Sequence, residues 1–127
     1  MQIDINTKIL TQLVKDNLLE SIIDAIDDVK GNDIVTIDMT ELEERVCDYF
    51  VVVTGNSNTQ VNAIEDNVEH KVRQNLKISP VAVEGRINGE WVAMDYGYVM
   101  VHIFQREARE FYDIEHLWED AKIIKKE

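Results

Sequence analysis

Thr54-Gly55-Asn56-Ser57-Asn58 follows an apolar run and precedes a helical pattern. Backbone N–H groups at such a strand-to-helix turn can cradle a phosphate. The segment has one glycine, however, and neither a P-loop lysine nor a dinucleotide-type glycine series, so a turn followed by a helix cap is the stronger reading. Glu65 and Asp66 lie beyond it, adjacent in a predicted helix and pointing in different directions, which is no arrangement for magnesium. No serine, histidine and acid fall in a nucleophilic pattern, and no general acid–base pair is recognisable. Cys47 is alone, which excludes an intramolecular disulfide and a cysteine-based metal cluster; a small buried apolar residue is expected there. His70, His102 and His116 fall on separate predicted elements without zinc-ligand spacing, so no metal and no cofactor are expected.

Binding chemistry is better represented. Trp91, Met94, Asp95, Tyr96, Gly97 and Tyr98 crowd large anchoring side chains and one acid around a predicted hairpin. Rigid aromatics of this kind supply contact area at small entropic cost, so Trp91, Met94, Asp95, Tyr96 and Tyr98 are the candidate partner-binding residues. Period two puts Trp91, Ala93 and Asp95 on one face of a strand and Val92 and Met94 on the other. From composition alone, Trp91 is more often a core residue.

The 13 basic and 25 acidic side chains leave a net charge of −12. That field repels phosphate backbones, which argues against bare nucleic acid and for a basic protein partner. The segment Asp16 to Asp48 alone holds eleven acids against Lys30 and Arg45, read as a solvated surface that also attracts at long range.

These residues have to be positioned by a fold. At 127 residues and 45% hydrophobic content, the chain is expected to form a single domain over residues 1–127. No apolar run approaches a membrane span, the longest being short ones such as Tyr49 to Val53, and Met1-Gln2-Ile3-Asp4 lacks the basic start of a signal peptide. A cytoplasmic protein without membrane contact is expected. Ile9, Leu10, Leu13, Val14, Leu18, Ile22, Ile26 and Val29 recur at helical spacing, with Asn6 or Thr7 to cap the start and Gly31 beyond the end. Ile34 to Asp38 reads as a strand, Thr40 to Asp48 as a connection, and Tyr49 to Val53 as a strand covered on both faces. Ser57 or Asn58 caps a second helix along Val61, Ile64, Val68, Val72 and Leu76, which Pro80 follows. Strands are predicted at Val81 to Glu84, Trp91 to Asp95 and Tyr98 to Phe104, with turns at Asn88-Gly89 and Gly97. Glu107 to Ala121 suits two short helices with Asp113 as a cap between them. The order α-β-β-α-β-β-β-α implies an α/β (α+β) fold: a mixed β-sheet of about five strands with helices packed on it.

Cys47-Asp48-Tyr49-Phe50-Val51-Val52-Val53-Thr54-Gly55-Asn56-Ser57, then Glu84-Gly85, Trp91, Asp95-Tyr96-Gly97, Val99 to Phe104, and Arg109-Glu110-Phe111-Tyr112 with Leu117-Trp118 closely resemble the Iojap/RsfS family of ribosomal silencing factors. The likeness runs over residues 7 to 120 in the same order and spacing. It implies a nucleotidyltransferase-like fold without that activity. It also implies binding to the large ribosomal subunit through ribosomal protein L-fourteen, so that joining with the small subunit is blocked and translation is repressed during nutrient limitation. A homodimer is one form open to the protein when it is not bound to the ribosome. Tyr98 departs from the family, which often has an acid there; that change would shift contact energy from ion pairing toward aromatic packing. The alternative implied by the fold relation is an enzyme acting at the Gly55-Asn56-Ser57 turn.

Overall fold

A computed structural model describes residues 5–126; the N-terminal Met1-Gln2-Ile3-Asp4, which lacks a signal-peptide start, lies outside the described residues. The β-branched and aromatic runs become β1 (Asn32–Asp38) and β2 (Tyr49–Gly55), followed by β3 (Ala82–Glu84), β4 (Trp91–Asp95), β5 (Val99–Gln105) and β6 (Lys122–Lys125). They form one sheet in the order β3-β4-β5-β2-β1-β6. Strands β2 and β5 pair in parallel at its centre, and every other pairing is antiparallel. Every residue of β2 is buried, as an apolar run covered on both faces requires. Its side chains alternate: Tyr49, Val51 and Val53 pack with Leu18, Ile22, Ile26, Val61, Ile64 and Val68, while Phe50 and Val52 pack with Ile37, Met39, Phe104 and Ile114. Burying each such valine stabilises the fold by about 1.5–3 kcal/mol relative to leaving it in water.

Helices α1 (Ile5–Asp28) and α2 (Asn58–Leu76) cover the first of these faces. They run antiparallel, joined by Asn67 Nδ2 donating to the Ala25 carbonyl, Asn75 Nδ2 to Ser21 Oγ, and a Lys71–Asp28 ion pair. Ser57 caps α2 by accepting from the Gln60 N–H. Gly55 is required just before it, because a Cβ there would meet Val61 Cγ2 at 2.8 Å and the Val61 nitrogen at 3.0 Å. Two short helices, α3 (Arg106–Tyr112) and α4 (Ile114–Leu117), lie on the opposite face. Arg109 ties them to the sheet: its guanidinium grips the Glu115 carboxylate and also donates to Thr54 Oγ1 and the Asp33 carbonyl, both at 2.8 Å.

Four expectations need correction. The sheet has six strands, since Lys122–Lys125 adds β6 antiparallel to β1. Helix α1 already includes Asn6 and Thr7, so neither caps its start. Asp113 makes no side-chain cap; it turns the chain with a left-handed backbone, φ 44°. The apolar stripe of α1 is also only half core. Leu18, Ile22 and Ile26 are buried, whereas Ile9, Leu10, Leu13 and Val14 are 46–63% exposed. The cause is length, because α2 ends at Leu76, one residue past the Asn75 that bonds Ser21, and α1 runs about four turns beyond Ser21.

Candidate functional site

The register of β4 against its neighbours decides which hairpin side chains can meet a partner. Val92 and Met94 are fully buried against the α1/α2 layer, and Trp91, Ala93 and Asp95 are half-buried on the other face. Opposite these three on β5 stand Phe104, His102 and Met100, and opposite Ala93 and Asp95 on β3 stand the exposed Glu84 and Ala82. Helix α3 packs over β5 and β2. The sheet face is therefore covered beside α3 and open toward β3, leaving a shallow surface of Ala82, Glu84, Ala93, Asp95 and Met100 with Trp91 at its border.

Trp91 is both anchor and support. Its Nε1–H donates to His102 Nδ1 at 3.0 Å, its ring stacks on Phe104 at 4.9 Å between centroids, and Tyr112 leans on it at 4.7 Å. His102 is 5% exposed and meets the edge of Phe50 at 4.5 Å. Burial pushes its pKa down to about 4, so the ring is neutral at physiological pH. With Nδ1 accepting, the hydrogen-bond network assigns the proton to Nε2, which is buried without a hydrogen-bond partner among the described residues.

At the other end of the hairpin, Asp95 Oδ1 accepts from the Gly97 N–H at 2.8 Å. Gly97 has φ +85° with open space around it, so glycine is needed there for backbone conformation alone. Tyr98 is 44% exposed, and the Lys15 ammonium lies 4.9 Å from its ring centroid. Lys15 also pairs with Asp48 at 2.6 Å, and Arg45 pairs with the same acid at 3.0 Å. Burial pushes the Asp48 carboxyl up, but the hydrogen bonds and charges of Lys15 and Arg45 outweigh that and hold it below its ordinary value.

Three of the five predicted binding residues thus reach the surface: Trp91, Asp95 and Tyr98. Met94 is fully buried and Tyr96 is 6% exposed, so these two hold the hairpin from beneath and do not present contact area. Burial raises the Tyr96 phenol pKa, and the nearby Glu69 and Glu65 raise it further. Sequence reasoning missed Phe111 and Leu117, which are 81% and 74% exposed, as surface features. The aromatic pair Phe111-Tyr112 beside the acids Glu107 and Glu110 was the available signal.

Three backbone donors at and just after the glycine turn are committed. Gln60 N–H goes to Ser57 Oγ, Val61 N–H to the Ser57 carbonyl, and the Asn56 N–H to Gln60 Oε1. Ser57 thus caps the helix, and the Gln60 side chain reaches back to the residue before the cap, a variant of the capping box. Glu65, behind it, is buried and engaged by Arg86 at 2.6 Å, and burial pushes its pKa up to about 7. Among the described residues no group of three or more histidines, cysteines and acids could hold a metal ion. Cys47 donates to the Tyr49 carbonyl at 3.2 Å, and burial raises its thiol to about 11, far from a reactive thiolate.

A family model described as "Ribosomal silencing factor during starvation" matches residues 12–127. The chain belongs to this family. "Ribosomal silencing factor RsfS" of Chromobacterium violaceum is 39% identical over 100 residues, covering 79% of this chain and 80% of the relative. An X-ray crystal structure of a protein from the same organism superimposes with a TM-score of 0.77 at 36% identity, covering 82% of this chain and 85% of that one. The mouse protein named "Mitochondrial assembly of ribosomal large subunit protein 1" is 33% identical over 79 residues, covering 60% of this chain and 34% of the relative. Membership of the silencing-factor family gives the chain a ribosome-associated silencing role, and the mixed sheet with its helices is the architecture of its structural neighbours.

Proposed function

We propose that this silencing factor acts in the cytoplasm as a non-catalytic wedge. It docks on the large ribosomal subunit at ribosomal protein L-fourteen, blocks joining with the small subunit, and so represses translation when nutrients are limiting. The observation that carries this reading is the open sheet face bordered by Trp91, in a chain of the silencing-factor family. Its exposed acids, Glu84 and the partly exposed Asp95, suit a basic ribosomal protein, and the net charge of −12 speeds encounter with such a partner while keeping the protein off bare RNA. Association with the large subunit is also what the name of the mouse relative suggests. The capping contacts at Gly55-Asn56-Ser57 favour docking over nucleotidyl transfer. The exposed Ile9, Leu10, Leu13 and Val14 support a homodimer when no ribosome is bound.

Purified protein mixed with separated subunits should co-sediment with large subunits, be absent from small subunits, and lower the yield of joined ribosomes in a dose-dependent manner. Run alone, it should sediment as two copies. Co-migration with small subunits only, or undiminished joining at saturation, would remove the docking reading; a single copy at all concentrations would remove the homodimer.

A further inference from the structure

A cleft of about 400 Å³ opens between the start of β4 and helix α3, lined by Glu90, Gln105, Glu107, Ala108, Phe111 and Tyr112. Its chemistry is one-sided. Two carboxylates face it, and among the described residues no basic side chain lines it. Gln105 commits its amide hydrogens to Asn58 Oδ1 and the Gly89 carbonyl, which leaves its own oxygen as what it can offer a ligand. The Phe111 and Tyr112 rings form a corner, 5.1 Å between centroids at 88°, and Phe111 is 81% exposed. The site is thus rich in acceptors and π faces, and among the described residues the Tyr112 hydroxyl is the one side-chain donor lining it outside the committed amide.

An anion would meet two carboxylates there, and an apolar group would desolvate them without a partner. A planar cation meets every requirement: it donates to the carboxylates and the amide oxygen while its face lies on an aromatic ring. We propose that this cleft is a receptor for an arginine side chain presented by a basic protein partner. Tyr112 forms the cleft on one side and packs on Trp91 on the other, so the cleft is continuous with the open sheet face. The inference rests on the docking reading and deepens it, by naming a second anchor point and the residue type that fills it.

The probe is the pentapeptide Gly-Arg-Gly-Arg-Gly, titrated into ¹⁵N-labelled protein at low salt, beside the same peptide with neutral citrulline at both arginine positions. Saturable shifts are expected at Ala108, Phe111, Tyr112 and the Gln105 side-chain amide. They should weaken about fivefold or more with citrulline, with Phe111→Ala, and with Glu90→Gln combined with Glu107→Gln. The exposed ring of Phe111 makes its replacement compatible with an intact fold, which the unperturbed remainder of the spectrum verifies. Equal shifts from both peptides, or shifts confined to the acids of α1, would overturn the proposal. The same variants should bind large subunits more weakly. Normal subunit binding by them, with no peptide shifts in the cleft, defeats the arginine site and leaves the docking reading standing; peptide shifts in the cleft of a protein that ignores large subunits do the reverse.

Discussion

Trp91→Ala is expected to lower the free energy of unfolding by about 3 kcal/mol, the lower end of the range for deleting a buried large aromatic, because the ring is half-buried. It removes the stack on Phe104 and the support of Tyr112, and it leaves His102 Nδ1 as a buried acceptor without its donor. Trp91→Phe keeps a single aromatic ring near Phe104 while losing the N–H and the second ring of the indole, for an intermediate cost of about 2 kcal/mol. Large-subunit affinity should fall about tenfold or more in the alanine variant even at temperatures where it is fully folded, because a border aromatic is also an anchor. Urea denaturation of the three proteins gives the stabilities. An unchanged midpoint for Trp91→Ala would mean that the ring is an ornament of the surface and not its support.

Acid should destabilise the protein through His102. A histidine whose folded-state pKa is depressed contributes stability that is fully present above its unfolded value, about 6.5, and is lost as pH falls toward the folded value of about 4. The span between those values corresponds to about 3 kcal/mol. Glu65 works in the opposite sense. Its carboxyl is raised to about 7, so its contribution is present below the unfolded carboxyl value and is lost as pH rises through about 7. The quantity to measure is therefore the difference between wild type and His102→Gln, in which the Glu65 contribution cancels. Relative to that variant, wild type should lose stability steadily from pH 6.5 to pH 4. A difference that stays constant with pH would place His102 in contact with water or with an unrecognised acid.

What the sequence disclosed about this surface was direction. The alternation in Trp91 to Asp95 correctly separates Trp91, Ala93 and Asp95 from Val92 and Met94, because the period of a strand is a property of its backbone. Depth is another matter, since it depends on what the rest of the chain lays over each face. Met94 and Tyr96 have the residue types of contact anchors and are buried, because α1 and α2 cover their side of the sheet. The same limit explains α1: helical spacing correctly groups Leu10 and Val14 with Leu18 and Ile22, but whether anything lies opposite the first three turns is decided by where α2 stops. Strand β6 was illegible for a different reason. Lys-Ile-Ile-Lys is too short to show a period, and its lysines are what an exposed edge strand carries to discourage further pairing. The cleft beside α3 escaped because its walls come from β4, β5 and α3, and only the fold brings Glu90 against Phe111. The cap of α2, by contrast, was readable to within one residue, as Ser57 or Asn58, since a cap is a local interaction with the next turn; Ser57 fills it.

The central claim is that docking energy resides on the hairpin face and not on the acidic helix. Asp95→Asn tests it with least disturbance, because the amide keeps the oxygen that accepts from the Gly97 N–H and removes only the charge. Large-subunit affinity should be measured for Asp95→Asn, for Tyr98→Ala, and for the control pair Asp24→Asn with Asp28→Asn on α1, whose loss of the exposed Lys71 contact costs little stability. Each hairpin variant should bind about tenfold more weakly, and any change in the control should vanish at high salt. Hairpin variants that bind as wild type does, beside a control pair that loses affinity at every salt concentration, would contradict the claim and place the interface on α1.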